Sequence, residues 1–242
     1  MEARVDEIAP DTFRISTFHP GFGIQFNQFL LRDEDPVLVH TGMRRMFAAT
    51  LEGVRRVLDP ARLAWIGFSH FEPDECGALN EWLAVAPRAQ PLAGVVGASV
   101  MLDDFADRPA RVLAHGETIA TGVHRLRFLA TPHLPHGWDA GLYFDERCRT
   151  LFCSDLLFQP GDPAPLTEED PIPATRAAIL AAQGSPLAHD LPYTHHTDDL
   201  IRSLGALTPT TLAVMHGASY RGDGARVLAD LASVLRETLG PR

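Results

Sequence analysis

The sequence predicts a mixed α/β fold in which two β-sheets pack face to face and helices cover both outer faces, a four-layer αββα sandwich. Two blocks of short segments rich in β-branched and aromatic residues point to the sheets, and helical segments follow each block. With 242 residues, 45% of them hydrophobic, the chain is long enough to bury a sizeable core. We therefore expect residues 1–242 to form a single domain.

The first block begins with three segments of strand composition separated by turn residues: VDEIA, TFRIST and QFNQFLL. PVLVHTG follows as a buried strand that ends in Thr-Gly. Apolar residues then recur at helical spacing, which predicts a helix over residues 43–57. LAWIGF, over 63–68, is a predicted buried strand, and it continues into SHFEPDECGALNEWLAVAP, whose second half is a predicted helix.

The second block contains the predicted strands VHRLRFLAT, GLYFDE and RTLFCSD, with a hairpin turn at Arg147-Cys148 between the last two. Residues 156–173 are rich in proline and acids, which predicts a long loop. Helices are predicted at 174–183 and in DDLIRSLGAL, a strand in TLAVMHG and a last helix over 224–239.

Charge and composition exclude several classes of function. The net charge of -10 disfavours nucleic acid as the main partner, because its phosphates would be repelled. No apolar run approaches the roughly 18 residues that a membrane span needs, and MEARVDEIAP lacks the apolar core of an export signal. Three cysteines cannot form a disulfide framework and fit a reduced compartment. We therefore expect a cytoplasmic protein with no membrane partner.

The strongest local signal is the segment His70-Phe71-Glu72-Pro73-Asp74, at the end of a predicted buried strand. Alternate residues of an extended segment point to one side, so His70, Glu72 and Asp74 can converge on one pocket. Acidic side chains that face one another beside an apolar strand repel each other unless a cation lies between them. The segment therefore predicts a metal site.

Three other strand ends deliver residues of the same types. TLAVM ends in His216-Gly217, RTLFCS ends in Asp155, and FLATPHLPH carries His133 and His136 in a loop. A single histidine after a strand is usually an ordinary surface or core residue, and HxExD alone could be a solvated turn. Histidine is also the commonest metal ligand, and the joint pattern favours one shared metal site.

The order His-x-Glu-x-Asp, His, Asp, His-Gly resembles the metallo-β-lactamase superfamily, and within it the di-iron branch of flavodiiron and oxygen-binding di-iron proteins. Zinc hydrolases of the superfamily usually have His where this chain has Glu72. The resemblance covers nearly the whole chain, including FNQFLLRDEDPVLVHTG. The chain departs from the pattern at two positions: His40 stands where many members have Asp before Thr-Gly, and Glu75 where many have a further His.

The resemblance implies a ligand set for two metal ions. In the di-iron branch the third ligand lies 19 residues before the bridging Asp and three before an acid, which favours His136 over His133. Carried over, the first metal takes His70, Glu72 and His136, the second takes Asp74 and His216, and Asp155 bridges them. Glu75 either coordinates the second metal or swings away and leaves an open position.

The resemblance also implies a function: a binuclear non-haem iron protein that binds or reduces O2 or NO. Glu72 favours iron, with manganese and zinc as alternatives. His19 resembles a histidine that donates a hydrogen bond near the di-iron centre. No flavodoxin-like FMN segment is evident, so electrons are expected from a separate donor protein, and a homodimer is expected from the family.

The alternative is a zinc or manganese hydrolase of an ester, thioester, lactone or phosphodiester. Its nucleophile would be a hydroxide between the two metal ions, which lower the pKa of bound water. In that case Asp74 would orient this nucleophile.

Overall fold

The computed structural model describes residues 2–241, which form two seven-stranded sheets. The strands of the first sheet follow one another in chain order, and β4 to β7 run parallel. They are β1 (Arg4–Ala9), β2 (Thr12–His19), β3 (Ile24–Leu31), β4 (Val37–Val39), β5 (Trp65–Gly67), β6 (Gln90–Gly94) and β7 (Arg111–Leu113).

The second sheet has the order β12-β14-β13-β11-β10-β9-β8, and its strands β11 and β13 run parallel. The strands are β8 (Thr118–Ala120), β9 (Arg125–Ala130), β10 (Gly141–Asp145), β11 (Thr150–Ser154), β12 (Leu166–Thr167), β13 (Thr211–Val214) and β14 (Ser219–Arg221). The α-helices are α1 (Phe47–Arg55), α2 (Pro73–Cys76), α3 (Leu79–Val85), α4 (Ile172–Ala182), α5 (Thr197–Ala206) and α6 (Gly224–Leu239).

Alternating side chains of the strands build separate apolar layers. In β3 and β4, Leu30 and Leu38 pack with Trp82 of α3, whereas Phe29 and Val39 pack between the two sheets with Phe152. Successive side chains of a strand point to opposite faces, so one strand can serve both layers. A third layer lies between the second sheet and helices α5 and α6. The predicted four-layer αββα sandwich is therefore confirmed.

Helix boundaries agree with the predictions where the apolar stripe is long. The last helix spans the predicted residues 224–239, and α4 begins two residues before the predicted 174. The helix predicted over 43–57 is instead a 3₁₀ turn, Arg44–Met46, followed by α1. The strands β6, β7, β8, β12 and β14 and a π-helix over Gly97–Leu102 were not predicted, because they are short and have little local pattern. Of these, β12 lies inside the segment predicted as a loop, 156–173.

Two parallel strand pairs bring together the strand ends that carry most of the predicted ligands. β4 and β5 run parallel in the first sheet, as do β11 and β13 in the second, so each pair ends at one edge of its sheet. Except for His136, which lies between β9 and β10, the predicted metal ligands follow three of these four strands. Among residues 2–241, no helix is both long enough and apolar enough to cross a membrane.

Candidate metal centre

Side chains from four loops meet in one cleft where the two sheets face each other. His70 and Glu72 follow β5, His136 lies between β9 and β10, Asp155 follows β11, and His216 lies just beyond β13. Glu72 is in extended conformation, and Pro73 opens the short helix α2 directly after it. Proline suits the first position of a helix, since no N–H is needed there. The chain therefore turns sharply between Glu72 and Asp74.

One group of donor atoms surrounds Glu72. Its Oε2 lies 3.2 Å from His70 Nε2 and 3.2 Å from His136 Nε2. Asp155 completes this group, in which one donor atom from each of the four residues lies within 4.8 Å of the others. Three side chains of this group are only partly buried and His70 is fully buried, so the group is open to solvent on one side.

Asp155 connects this group to a second one. Its Oδ2 lies 3.5 Å from His70 Nε2, whereas its Oδ1 lies 3.0 Å from His216 Nε2. Asp74 Oδ2 approaches the same His216 nitrogen at 3.2 Å. The two oxygens of one carboxylate thus face two different groups of ligand atoms, which is the placement that a bridging carboxylate needs.

All three histidines present Nε2 to the cleft, and Nδ1 has a hydrogen-bond partner in His216 and His70. His216 Nδ1 donates to the Gln25 carbonyl at 2.8 Å, and His70 Nδ1 lies 3.1 Å from Ser69 Oγ. His136 Nδ1 lies 3.5 Å from Asp190 Oδ1. A partner at Nδ1 favours the tautomer that leaves the Nε2 lone pair free for a metal ion.

The backbone beside His216 requires glycine. Gly217 has a φ of +126°, and a Cβ there would lie 2.6 Å from Gln159 Cβ. The Asn27 side chain donates to the Gly217 carbonyl at 2.9 Å. The chain can therefore turn directly after the histidine, which fixes its ring against Gln25.

Carboxylates control the protonation of these histidines. Burial lowers the pKa of His70, but the charges of Glu75, Glu72 and Asp155 outweigh burial and raise that pKa to about 10. Attraction to neighbouring carboxylates also raises the pKa values of His136 and His216. Conversely, hydrogen bonds from His136 and His70 lower the pKa of Glu72 to about 2. The carboxylates therefore favour positive charge in the cleft, and a metal cation can replace these protons.

The donor set fits two metal cations. Three imidazole nitrogens and the carboxylates of Glu72, Asp74 and Asp155 converge. Within residues 2–241 these carboxylates form ion pairs with histidines and with no arginine. Buried carboxylates without a permanent cation are costly, and bound metal ions relieve that cost.

We expect the metal-free protein to lose stability at alkaline pH. The pKa of His70 in the folded protein lies above its ordinary value of 6.5, so its stabilising contribution is complete below pH 6.5 and is lost as the pH rises through about 10. The depressed pKa of Glu72 acts oppositely: its contribution is present above pH 4.5 and is lost as the pH falls through about 2.

The melting temperature of chelator-treated protein should therefore be highest near pH 5 to 6, roughly, and decline toward pH 10. Glu72→Gln removes one of the carboxylates and should make the alkaline decline shallower. A melting temperature that stays constant between pH 6.5 and 10 would contradict the charge balance described for His70.

The structure brings His136, and not His133, into the cleft. His133 is exposed, and its backbone N–H donates to the Gly137 carbonyl within the same loop. Asp139, three residues after His136, accepts a hydrogen bond from the Phe71 backbone N–H at 2.8 Å and so connects the two ligand loops.

His19 lies at the side of the cleft rather than among the ligand atoms. Its ring packs 4.4 Å from the Phe22 ring and 6.5 Å from the Phe26 ring, measured between centroids. Phe26 in turn meets His216 edge-on at 5.1 Å. Phe22 N–H donates to His19 Nδ1, which leaves the proton of the neutral ring on Nε2.

Glu75 lies behind His70, away from the two groups of ligand atoms. Its fully buried carboxylate accepts a hydrogen bond from the Ser69 backbone N–H at 2.9 Å and contacts His40 Nδ1 and Ser154 Oγ. The two departures from the family pattern, His40 and Glu75, are therefore in direct contact. Of the coordination and swung-away alternatives for Glu75, the geometry resembles the second.

Sequence reasoning missed the residues that hold the histidines. Asp190 lies between α4 and α5 and contacts His136 Nδ1, which has no hydrogen-bond partner within residues 2–241. Ser69 and Gln25 hold the other two rings. Ser69 could have been found from the sequence, since a hydroxyl directly before a predicted ligand can hydrogen-bond to its ring. No local pattern indicates that Asp190 contacts His136.

Asp190→Ala is expected to weaken metal binding about tenfold, because it removes the carboxylate beside His136 Nδ1. Residues that support a metal ligand in this way typically contribute about ten- to a hundredfold to affinity. We expect the low end of that range here, since the Asp190 side chain is 52% exposed. Zinc affinity can be measured by competition with a chelator. Asp199→Ala is the control, since the Asp199 side chain on α5 is 76% exposed. Equal affinities for both variants and the unaltered protein would exclude a supporting role for Asp190.

A second cluster of possible ligands is built differently. His124, Asp145 and Cys148 lie close together near the β10–β11 turn. His124 Nδ1 bonds Asp145 at 2.8 Å, and the Arg147 guanidinium donates to His124 Nε2 at 3.0 Å. An arginine thus supplies the positive charge here, and the cluster stabilises the turn.

Comparison with known proteins gives a consistent family. The sequence profile described as ODP family beta lactamase matches residues 24–170. A curated relative, "Diflavin flavoprotein A 1" of Synechocystis sp., is 30% identical over 146 residues, which cover 56% of this chain and 25% of the relative. The chain thus spans about a quarter of that relative's length.

Two solved structures show the same fold. Rubredoxin oxygen:oxidoreductase from Desulfovibrio gigas superposes with a TM-score of 0.80 at 21% identity, over 96% of this chain and 61% of that one. A mutant of the flavo di-iron protein from Thermotoga maritima gives 0.76 at 20% identity, again over 96% and 61%. At this identity the likeness establishes the fold alone. The expected metallo-β-lactamase fold is confirmed.

Proposed function

Because this chain belongs to the ODP family of beta lactamases, we propose that it is a binuclear non-haem iron protein that binds or reduces O2 or NO. Relatives with oxygen:oxidoreductase or di-iron in their names support the proposal. The chain spans 61% of the length of those proteins. A separate electron-donor protein is part of the proposal, and the homodimer stays a prediction.

The observation that carries the proposal is the position of Glu72. Its carboxylate oxygen lies equally far, at 3.2 Å, from the Nε2 atoms of His70 and His136. A hard anionic ligand between two imidazoles suits iron or manganese better than a set of imidazoles alone. Two ferrous ions would supply electrons for the reduction of O2 or NO.

The remaining residues have distinct proposed roles. His70, Glu72 and His136 hold one ion, and Asp74 and His216 hold the other. Asp155 would be shared by both ions, since its two oxygens face the two groups of ligands. Asp74 Oδ2 already lies 3.2 Å from His216 Nε2, its proposed partner in holding the second ion.

At the edge of the cleft, His19 is proposed to donate a hydrogen bond from Nε2 to O2 or NO. Its Nδ1 accepts from the Phe22 backbone, so the Nε2 proton is available. The ring of Phe22, which is 57% exposed and packs 4.4 Å from the His19 ring, is proposed to limit access of water from this side.

Anaerobic purification followed by metal analysis tests the proposal. We expect two iron ions per chain and a new visible absorption band when O2 or NO is admitted. Protein reconstituted with zinc is the matched control, since zinc has no redox chemistry. A colourless protein with two zinc ions, no response to either gas and turnover of ester or phosphodiester substrates would instead indicate the hydrolase.

A further inference from the structure

Glu75 is a fully buried carboxylate whose oxygens both have protein partners. Oε2 accepts from the Ser69 backbone N–H at 2.9 Å and contacts His40 Nδ1, while Oε1 accepts from Ser154 Oγ. Buried charged groups are tolerated when they are paired and hydrogen-bonded in this way. Oε2 therefore has two partners for its two lone pairs, and Oε1 has one.

These partners lie at the ends of three strands from both sheets. His40 directly follows β4, Ser69 follows β5, and Ser154 is the last residue of β11. The next residue after Ser69 is His70, and the next after Ser154 is Asp155. One carboxylate therefore connects the two strand ends that deliver a proposed terminal ligand and the proposed bridging ligand.

Glu75 also lies on the far side of the His70 ring. Its Oε1 is 3.7 Å from Nδ1, whereas Glu72 and Asp155 face Nε2. The two ring nitrogens point in different directions, so a group beside Nδ1 cannot share the metal ion bound at Nε2 without a large movement. A negative charge at this place favours a proton on Nδ1 and thus a free lone pair on Nε2.

We propose that Glu75 is a positioning residue that holds the strand ends of His70 and Asp155 in place for metal binding, and that it does not coordinate metal itself. This inference rests on the proposed metal site. Glu75 acts through Ser69 and Ser154, whose hydrogen bonds fix the backbone and the side chain next to each ligand.

His40 contacts the Glu75 carboxylate through its ring nitrogen Nδ1. Its ring is 1% exposed, and its Nε2 has no hydrogen-bond partner within residues 2–241. An unpaired buried N–H is more unfavourable than an unpaired lone pair, so His40 carries its proton on Nδ1 and donates it to Glu75. His40 and Glu75 together therefore present a matched donor and acceptor in the protein interior.

The test measures zinc affinity by chelator competition and metal content at saturation. Glu75→Gln keeps the shape of the side chain but removes its charge, and we expect it to bind two zinc ions about ten- to a hundredfold more weakly. Glu237→Gln is the matched control, since the Glu237 side chain on α6 is exposed, and it should leave zinc affinity unchanged. Nitrogen-15 NMR of the zinc-loaded protein should show His70 protonated at Nδ1, with that signal shifted or broadened in Glu75→Gln.

Ser154→Ala keeps the proposal testable if Glu75→Gln does not fold. It removes one hydrogen bond to Glu75, so affinity should fall by about two- to tenfold. When both variants fold, the double variant should lose less affinity than the two single effects combined, because both act on the same bond.

Three results would overturn the inference. Loss of one zinc ion at saturation in Glu75→Gln would make Glu75 a ligand, and unchanged affinity would deny it any role. If the unaltered protein binds no zinc, the metal site itself fails, and this inference fails with it. Zinc binding without iron or gas chemistry would contradict only the proposed function.

Discussion

Asp155→Asn is expected to reduce the metal content from two ions to fewer than one per chain. Within residues 2–241, Asp155 is the one side chain that approaches both groups of ligands, with Oδ1 at 3.0 Å from His216 Nε2 and Oδ2 at 3.5 Å from His70 Nε2. Asparagine has nearly the same shape but replaces one oxygen by an NH2 group, which cannot bind a cation. Both metal ions would then lose the carboxylate that they share, so both should bind more weakly.

The same substitution at Asp199 provides the control. Asp199 lies on α5 with its side chain 76% exposed and pairs only with Arg202 within residues 2–241, so Asp199→Asn should bind metal normally. Metal content after dialysis, measured by elemental analysis, compares the three proteins. Two ions per chain in Asp155→Asn, held as tightly as in the unaltered protein, would show that Asp155 does not bridge.

Glu72→His should shift the metal preference of the proposed iron site toward zinc. The change removes a negative charge and a hard oxygen ligand and adds an imidazole, which serves zinc well. Glu72 is 42% exposed on its side chain, so there is room for the larger ring. We expect the rate of O2-dependent iron oxidation to fall roughly a hundredfold or more, with a gain in zinc affinity.

Glu72→Gln separates charge from ligand type, because it removes the charge without adding a ligand for zinc. It should lose iron chemistry and gain no zinc affinity. If Glu72→His retained the O2 reaction of the unaltered protein, Glu72 would not determine the metal. A gain in ester or phosphodiester hydrolysis in Glu72→His would show a scaffold that is hydrolytic at root.

The layers of the fold were predictable because they depend on local periodicity. The strand composition of β3 and the long apolar stripe of α6 are visible in the sequence itself. β6 and β7 were missed because the first, QPLAG, carries proline and glycine and the second has only three residues. Their strand conformation depends on pairing with neighbours in the sheet, which is not visible locally.

In the site, the sequence predicted the convergence of His70 and Glu72, since both lie on one side of an extended segment. The uncertain residue was Glu75, and helix geometry explains its position. Asp74 and Glu75 are consecutive residues of α2, and consecutive helical side chains point about 100° apart. Asp74 therefore faces His216, whereas Glu75 faces the interior.

Asp190 shows what sequence reasoning could not reach. It lies 54 residues after His136 in a loop between two helices, and no local pattern connects the two residues. Its position depends on how the loop between α4 and α5 folds over the cleft. Long-range contacts of this kind become visible only when the tertiary structure places both partners.

Anomalous diffraction at the iron absorption edge, from crystals grown anaerobically with ferrous iron, tests the central claim most directly. We expect two peaks roughly 3.5–4 Å apart, one beside His70, Glu72 and His136 and the other beside Asp74 and His216, with Asp155 between them. A single peak, or peaks away from Asp155, would contradict the binuclear centre.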